Sequence, residues 1–287
     1  DLARARPVLC AGIAWALLDA GQIEGCETWL RDAERGLEMP AGARIVVDEN
    51  VFRSLPASIA AARSYRALAL NDISAAVANS QRALAMTPED SVIPYIQALS
   101  LAGLANYAGG DLQKADDSFA TLLNRVRQQG DLQTSVGITF ILAEIRRDRG
   151  RLRDALNTCQ EGLRLIDPHA TPALVGMGEI HRVLAEIWHA TGDLDAAQAH
   201  LITSRKLSTQ AGTIGSPHRL CIAEADLRAT AGDLSGALDL LDEAERVYVR
   251  NAIPDLRPIT ARRARLWIAQ GRLSEAAAWA RVQGLAP

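Results

Sequence analysis

Apolar residues recur along the chain at the three- and four-residue spacing of a single helix face. Ile138, Ile141, Leu142 and Ile145 precede Gly150 in this way, and Ile180, Val183, Leu184, Ile187 and Trp188 precede Gly192. After Gly110 the same spacing runs through Ala115, Phe119, Leu122, Leu123 and Val126. No segment keeps up a period-two alternation, so the pattern predicts helices and no strands. Breaks come at Thr87-Pro88 and Asp167-Pro168, where proline cannot continue a helix.

Between the apolar stretches a short signature returns: glycine, a polar residue, Leu or Ile, two residues, then alanine. Copies start at Gly110, Gly150, Gly192, Gly232 and Gly271, with alanines at Ala115, Ala155, Ala197, Ala237 and Ala276. Two weaker copies precede them, one at Gly21 with Cys26 in place of the alanine, the other at Asn71 with Ala76. Successive starts lie 50, 39, 40, 42, 40 and 39 residues apart, so seven units of about 40 residues fill the chain. The one long interval holds an insertion near residues 39–50.

Each part of the signature has a physical purpose. Gly, or more rarely Asn, closes a helix in the left-handed conformation. The Asp that often follows accepts backbone N–H bonds at the next helix start. The Leu or Ile is expected to seal the end of a hairpin, and the alanine to sit where two helices cross closely. A lone hairpin cannot bury its apolar stripe, so neighbours must stack. The expected fold is an all-α solenoid of about seven helical hairpins, with residues 1–287 forming a single domain.

Composition narrows the function more than the fold. Hydrophobic residues make up 48% of the 287 positions and aromatics only 4%, which suits Ala- and Leu-rich helices. The net charge of −3 lacks the basic excess of a nucleic-acid surface, so this segment alone is not expected to bind nucleic acid. Cys10, Cys26, Cys159 and Cys221 are scattered through helical patterns and are expected to be buried reduced thiols, which points to the cytoplasm. No run is long and apolar enough for a membrane span. The opening Asp1-Leu2-Ala3-Arg4 has neither an initiator Met nor the layout of a secretory signal, and the chain is expected to be part of a longer protein.

The signature resembles a tetratricopeptide-type repeat: Gly103, Ala115, Phe119 and the downstream break fall at matching positions. The usual period of 34 is exceeded. The longer unit is similar to the MalT-like sensor region of large ATP-dependent LuxR-type bacterial regulators. The residues that carry this likeness are Arg4-Ala5-Arg6-Pro7 leading to Ala14-Trp15-Ala16-Leu17-Leu18 and Gly21, the insertion after the first repeat, and the closing Arg265-Leu266-Trp267-Ile268-Ala269-Gln270-Gly271-Arg272-Leu273 with Ala278-Trp279-Ala280-Arg281. The resemblance implies a right-handed superhelix that binds a small-molecule effector or a regulatory protein or peptide and controls self-association. It also implies an ATPase module and a helix-turn-helix elsewhere in the parent. This sequence contains no G-x-x-x-x-G-K-[ST] phosphate loop.

Candidate chemistry is sparse, and no enzyme or cofactor is expected. Glu186-Ile187-Trp188-His189 has the Glu-x-x-His spacing of di-iron bundles, but a second such motif is missing. His169, His200 and His218 look isolated and solvated. There is no G-x-S-x-G elbow. Gly176-Met177-Gly178 and Gly212-Thr213-Ile214-Gly215 read as hairpin connections. The run from Arg146 to Arg153 and the group Arg262, Arg263 and Arg265 suit either solvated helix ends or an anion contact.

By resemblance, the groove-facing positions lie thirteen, ten, six, three and two residues before each turn. They select Tyr65; Gln97 and Tyr107; Phe140, Glu144 and Arg147; Glu179, Arg182, Glu186 and His189; and Arg219 and Asp226. Such mixed charge with rings nearby suits a polar ligand such as a sugar. Equally, these charges would pair across adjacent helices.

Overall fold

The computed structural model describes residues 3–166, 176–210 and 217–285. His169, the Asp167-Pro168 break and the Gly212-Thr213-Ile214-Gly215 connection lie outside the described residues. Fourteen helices and no strand are present among the described residues. In chain order they are α1 (Pro7–Asp19), α2 (Cys26–Glu38), α3 (Glu49–Ala69), α4 (Ile73–Met86), α5 (Val92–Ala108), α6 (Leu112–Gln128) and α7 (Leu132–Asp148). Then follow α8 (Leu152–Arg164), α9 (Met177–Thr191), α10 (Leu194–Gln210), α11 (Pro217–Thr230), α12 (Leu234–Arg246), α13 (Ile259–Ala269) and α14 (Leu273–Val282).

The signature sets the turns between paired helices. Gly21, Gly110, Gly150, Gly192, Gly232 and Gly271 all have positive φ, and Asn71 adopts φ 59° in the same role. At four of these seven turns the following aspartate caps the next helix. Asp72 accepts from the Ala75 amide at 3.1 Å, Asp193 from Ala196 at 2.9 Å and Asp233 from Gly236 at 2.8 Å. The signature alanines are buried, as is Cys26. The Leu or Ile position behaves less uniformly than expected. Ile23 is fully buried, but Leu194 and Leu273 are exposed, so helix crossing at the alanine closes these hairpins without a plug.

The chain forms two compact units, residues 1–122 with 250–254 and residues 123–249 with 255–287, divided within α6. In the first, α1 pairs with α2 and α3 with α4, while α1, α3 and α5 pack in succession. Cys10, Ala14, Leu18, Leu30, Leu55 and Ile59 form its core, with Trp15, Trp29 and Tyr65 against it. The insertion is ordered by Arg44, whose guanidinium lies 4.3 Å from the Phe52 ring centroid and bonds the Leu37 and Met39 carbonyls at 3.2 and 3.1 Å. Asp48 then caps α3, accepting from Asn50 and Val51.

In the second unit the pairs are α7–α8, α9–α10, α11–α12 and α13–α14, and the first helices α7, α9 and α11 again neighbour one another. Leu201, Leu220 and Leu227 join Ala185, Ala197 and Ala223 between α9, α10 and α11. Ile222, Leu241 and Ile259 continue the core into the last two hairpins. Gly178 lies inside α9 rather than in a connection, and its carbonyl accepts from the Ser204 hydroxyl at 2.7 Å. All four cysteines are free and buried. No described helix is long and apolar enough to cross a membrane.

Small residues fix how closely the helices approach. A Cβ on Gly103 would lie 2.7 Å from Cε2 of Phe119, a ring that is itself buried. Gly103→Val is therefore expected to lower stability by about 1–3 kcal/mol through overpacking, read as a lower urea midpoint. An unchanged midpoint would show that the α5–α6 crossing tolerates a wider separation.

Candidate functional site

Glu179, Arg182 and Glu186 follow one another at three- and four-residue spacing, which places them on one face of α9. Both acids bind the arginine between them: Arg182 Nε lies 2.7 Å from Glu179 Oε2 and Nη1 lies 2.9 Å from Glu186 Oε2. Its Nη2 reaches Glu144 Oε2 on α7 at 3.4 Å. Arg219 on α11 bonds the same Glu144 oxygen at 3.0 Å. Arg147 contacts Glu144 at 3.6 Å and Asp148 at 2.9 Å, and also pairs with Glu186. Arg257 extends the network to Asp148 at 3.1 Å. One lattice of alternating charge thus links α7, α9 and α11.

The lattice is largely withdrawn from water. Arg182 is only 2% exposed, and Glu144 and Arg219 are also buried. Burial pushes the Glu144 carboxyl up, but Arg219, Arg182 and Arg147 pull harder and hold it well below the usual carboxylate range. Four guanidinium groups (Arg147, Arg182, Arg219, Arg257) face four carboxylates (Glu144, Asp148, Glu179, Glu186), so these eight side chains are formally neutral together. Partners of this kind are worth far more together than either is alone, because a buried charge without its partner is costly.

The remaining expected positions divide into two groups. His189 and Asp226 stay at the edge of the network. His189 Nε2 shares a 2.7 Å hydrogen bond with Thr230 Oγ1, and Asp226 pairs with Arg262. The aromatic residues differ from the open groove that was expected. Tyr107 is 1% exposed, Phe140 is buried, and Tyr65 packs edge-on to Trp15 with centroids 6.0 Å apart. Their apolar rings are claimed by helix packing. Gln97 is exposed on α5. Asp148 and Thr230 were missed although each sits two residues before a turn glycine, an offset that would have found them. Arg257 lies in the α12–α13 connection, where no repeat register applies.

The other charged and histidine motifs are also taken up internally. Arg146 bonds Thr158 at 2.6 Å, Arg151 pairs with Asp154 at 2.6 Å, and Arg263 pairs with Asp242 and Glu245. His200 and His218 are not solvated and isolated. The Nδ1 atoms of His181 and His200 lie 2.9 Å apart across the α9–α10 hairpin. His218 packs edge-on to Tyr248 at 4.7 Å, and burial pushes it down to about 4. Glu186 of the Glu-x-x-His motif is engaged by arginines rather than held free for a metal. Among the described residues, no three His, Cys, Asp or Glu gather in a way that would hold a metal ion.

Paired helices of this length, a small residue at each crossing and a left-handed residue at each turn define a tetratricopeptide-type helical repeat. The family model described as the MalT-like TPR region matches residues 57–285, and the chain belongs to that family. No curated protein matches the sequence. Among solved structures, a Rap protein complexed with competence and sporulation factor is 13% identical, with a TM-score of 0.70 over 95% of this chain and 72% of that one. Aspartyl phosphate phosphatase F from Bacillus subtilis is 15% identical, with a TM-score of 0.69 over 96% and 69% of the two chains. The apo quorum sensor NprR from B. thuringiensis is 11% identical, with a TM-score of 0.59 over 95% and 85%. At these identities the likeness is one of fold.

The lattice makes two expectations. Arg182→Ala removes the buried guanidinium that Glu144, Glu179 and Glu186 share and is expected to cost about 3–5 kcal/mol, measured by chemical unfolding. Glu144 has a folded-state pKa below its ordinary value of 4.5, so its stabilising contribution is complete above that pH and fades as the pH falls. Glu144→Gln should accordingly flatten the loss of stability below pH 4.5; an unaltered acid limb would mean that Glu144 titrates as a free carboxylate.

Proposed function

We propose that residues 1–287 act as a single effector-sensing and protein-interaction domain of a cytoplasmic LuxR-type, MalT-like bacterial transcription regulator. Its ligand is a small-molecule effector or a regulatory protein or peptide, and binding controls self-association of the parent. Family membership supports this reading, as does the likeness in fold to a Rap protein complexed with a competence and sporulation factor and to a quorum sensor. In this reading the parent also carries a DNA-binding module, and this domain contacts neither DNA nor membrane.

The observation that carries the mechanism is the ion-pair lattice across α7, α9 and α11. Apolar contacts between helices are non-directional, and a ligand does not readily exchange them. Ion pairs can be exchanged: a carboxylate or guanidinium from outside can replace one partner. Glu179, Glu186, His189 and Asp226 at or near its edge are the proposed first contacts, with Arg147, Arg182 and Arg219 behind them. A ligand that favours one arrangement of the three helices then shifts the population of the domain.

The mutual satisfaction of these charges also favours a second reading, a tetratricopeptide-type protein–protein scaffold whose ion pairs serve stacking alone. Sedimentation velocity separates the two. In a thermal-shift screen against oligosaccharides, short peptides and common metabolites, a true ligand at about 100 times its Kd should stabilise by roughly 2.7 kcal/mol. That corresponds to a rise of about 2–4 °C. A sensor should also change its sedimentation coefficient or mass with the same ligand, and His189→Ala with Asp226→Asn should weaken both effects. Binding with no change in assembly would favour the scaffold, and the absence of a DNA-binding module from the parent would overturn the regulator reading.

A further inference from the structure

The first unit holds a cavity that the ion-pair lattice does not use. Asp48 caps α3 early, so this helix runs for 21 residues where α5 and α7 run for 17. The N-terminal half of α3, from Asn50 to Ala61, stands beside the start of α5 and the α4–α5 connection. Between them lies a cavity of about 460 Å³, within the size range of small-molecule sites. Ser58, Ala61 and Gln97 of its lining occupy first-helix positions thirteen or ten residues before a turn, so it opens on the repeat face expected to bind ligands.

The lining has a definite chemistry. Arg53 is its only charged side chain, and among the described residues it makes no hydrogen bond or ion pair. Arg35 and Arg63 of the same unit are by contrast bound to carboxylates. Ser58 accepts from Trp15 Nε1 at 3.1 Å, which leaves its own O–H to donate. Gln97 is exposed at the mouth. Ala57 and Ala61 leave the floor hollow, and Met86 and Pro94 form apolar walls.

We propose that this cavity binds a small amphipathic monocarboxylate. Its carboxylate sits on the Arg53 guanidinium, which presents two parallel N–H donors to such a group. Its apolar body lies against the alanine floor, Met86 and Pro94, and a polar substituent reaches Ser58 or Gln97. A single guanidinium balances one negative charge, so a phosphate dianion would be left half neutralised. A sugar would find neither an aromatic platform nor a carboxylate in this lining. The proposal goes beyond the regulator reading and does not depend on it, since it concerns occupancy of this cavity alone.

The test is a titration of the whole chain with 3-phenylpropionate, its neutral amide and phenyl phosphate, followed by ligand-observed NMR. The carboxylate should bind saturably and the amide should not. Arg53→Gln should weaken binding about 10- to 100-fold, the value of one charge-assisted contact. Its melting temperature should be unchanged, because Arg53 makes no contact that the fold needs. Gln97→Trp, which narrows the mouth and keeps the charge, should also weaken binding. No saturable binding up to about 10 mM, a limit that spans very weak sites, would overturn the proposal. So would equal binding by Arg53→Gln or by the amide, or tighter binding of phenyl phosphate. None of these outcomes bears on ligand-dependent assembly, so the two readings fail separately.

Discussion

A helical hairpin presents apolar residues on more than one side, and its own two helices can cover only part of them. Everything else in this protein depends on that shortfall. The alanine of each signature lets the two helices of a pair meet closely, and Gly103 against Phe119 shows how little room is left. What remains uncovered is met by the next pair, so that α1, α3 and α5 in one unit and α7, α9 and α11 in the other lie in succession. Stability built this way accumulates from neighbour to neighbour rather than from one central core.

Stacking brings the first helices together, and their polar residues must then be accommodated. The two units do this differently. In the second, charged side chains of three helices satisfy one another, and Arg182 can be buried because three carboxylates surround it. In the first, aromatic and apolar side chains take most of the same positions: Trp15, Tyr65 and Tyr107 enter the packing. The polar demand there is small, and a cavity with one unpaired guanidinium is left. Directional, mutually satisfied charges can be re-partnered, whereas a hollow lined by alanine and proline can only be filled. Under the proposed readings, the two faces would therefore answer to different kinds of ligand.

Much of the fold was legible because it rests on local chemistry. A left-handed glycine or asparagine, an aspartate cap and a buried alanine act over a few residues, and all are found where the signature places them. The helix faces followed from spacing alone. The Leu and Ile positions were less legible, because their burial depends on what the following hairpin places against them, as exposed Leu273 and buried Ile23 illustrate. The histidines were misjudged for the same reason. Nothing near His218 in sequence announces Tyr248 as its neighbour, and His181 meets His200 only once α9 and α10 fold against each other.

By itself, then, the sequence determined the repeat, its period, the turns and the helical class, since each follows from backbone preferences that a few adjacent residues impose. It also marked most of the residues of the charged face, because the repeat register carries positions from one helix to the next. The tertiary structure alone decided which charges meet. Glu144 is bound by Arg219, 75 residues away, and Asp148 by Arg257, from a connection with no register at all. It also decided that the expected aromatic contacts are core, and that a cavity lies between α3 and the start of α5. Side-chain partners and voids are set by how separate helices approach, and that distance is fixed only when the whole set of neighbours is in place.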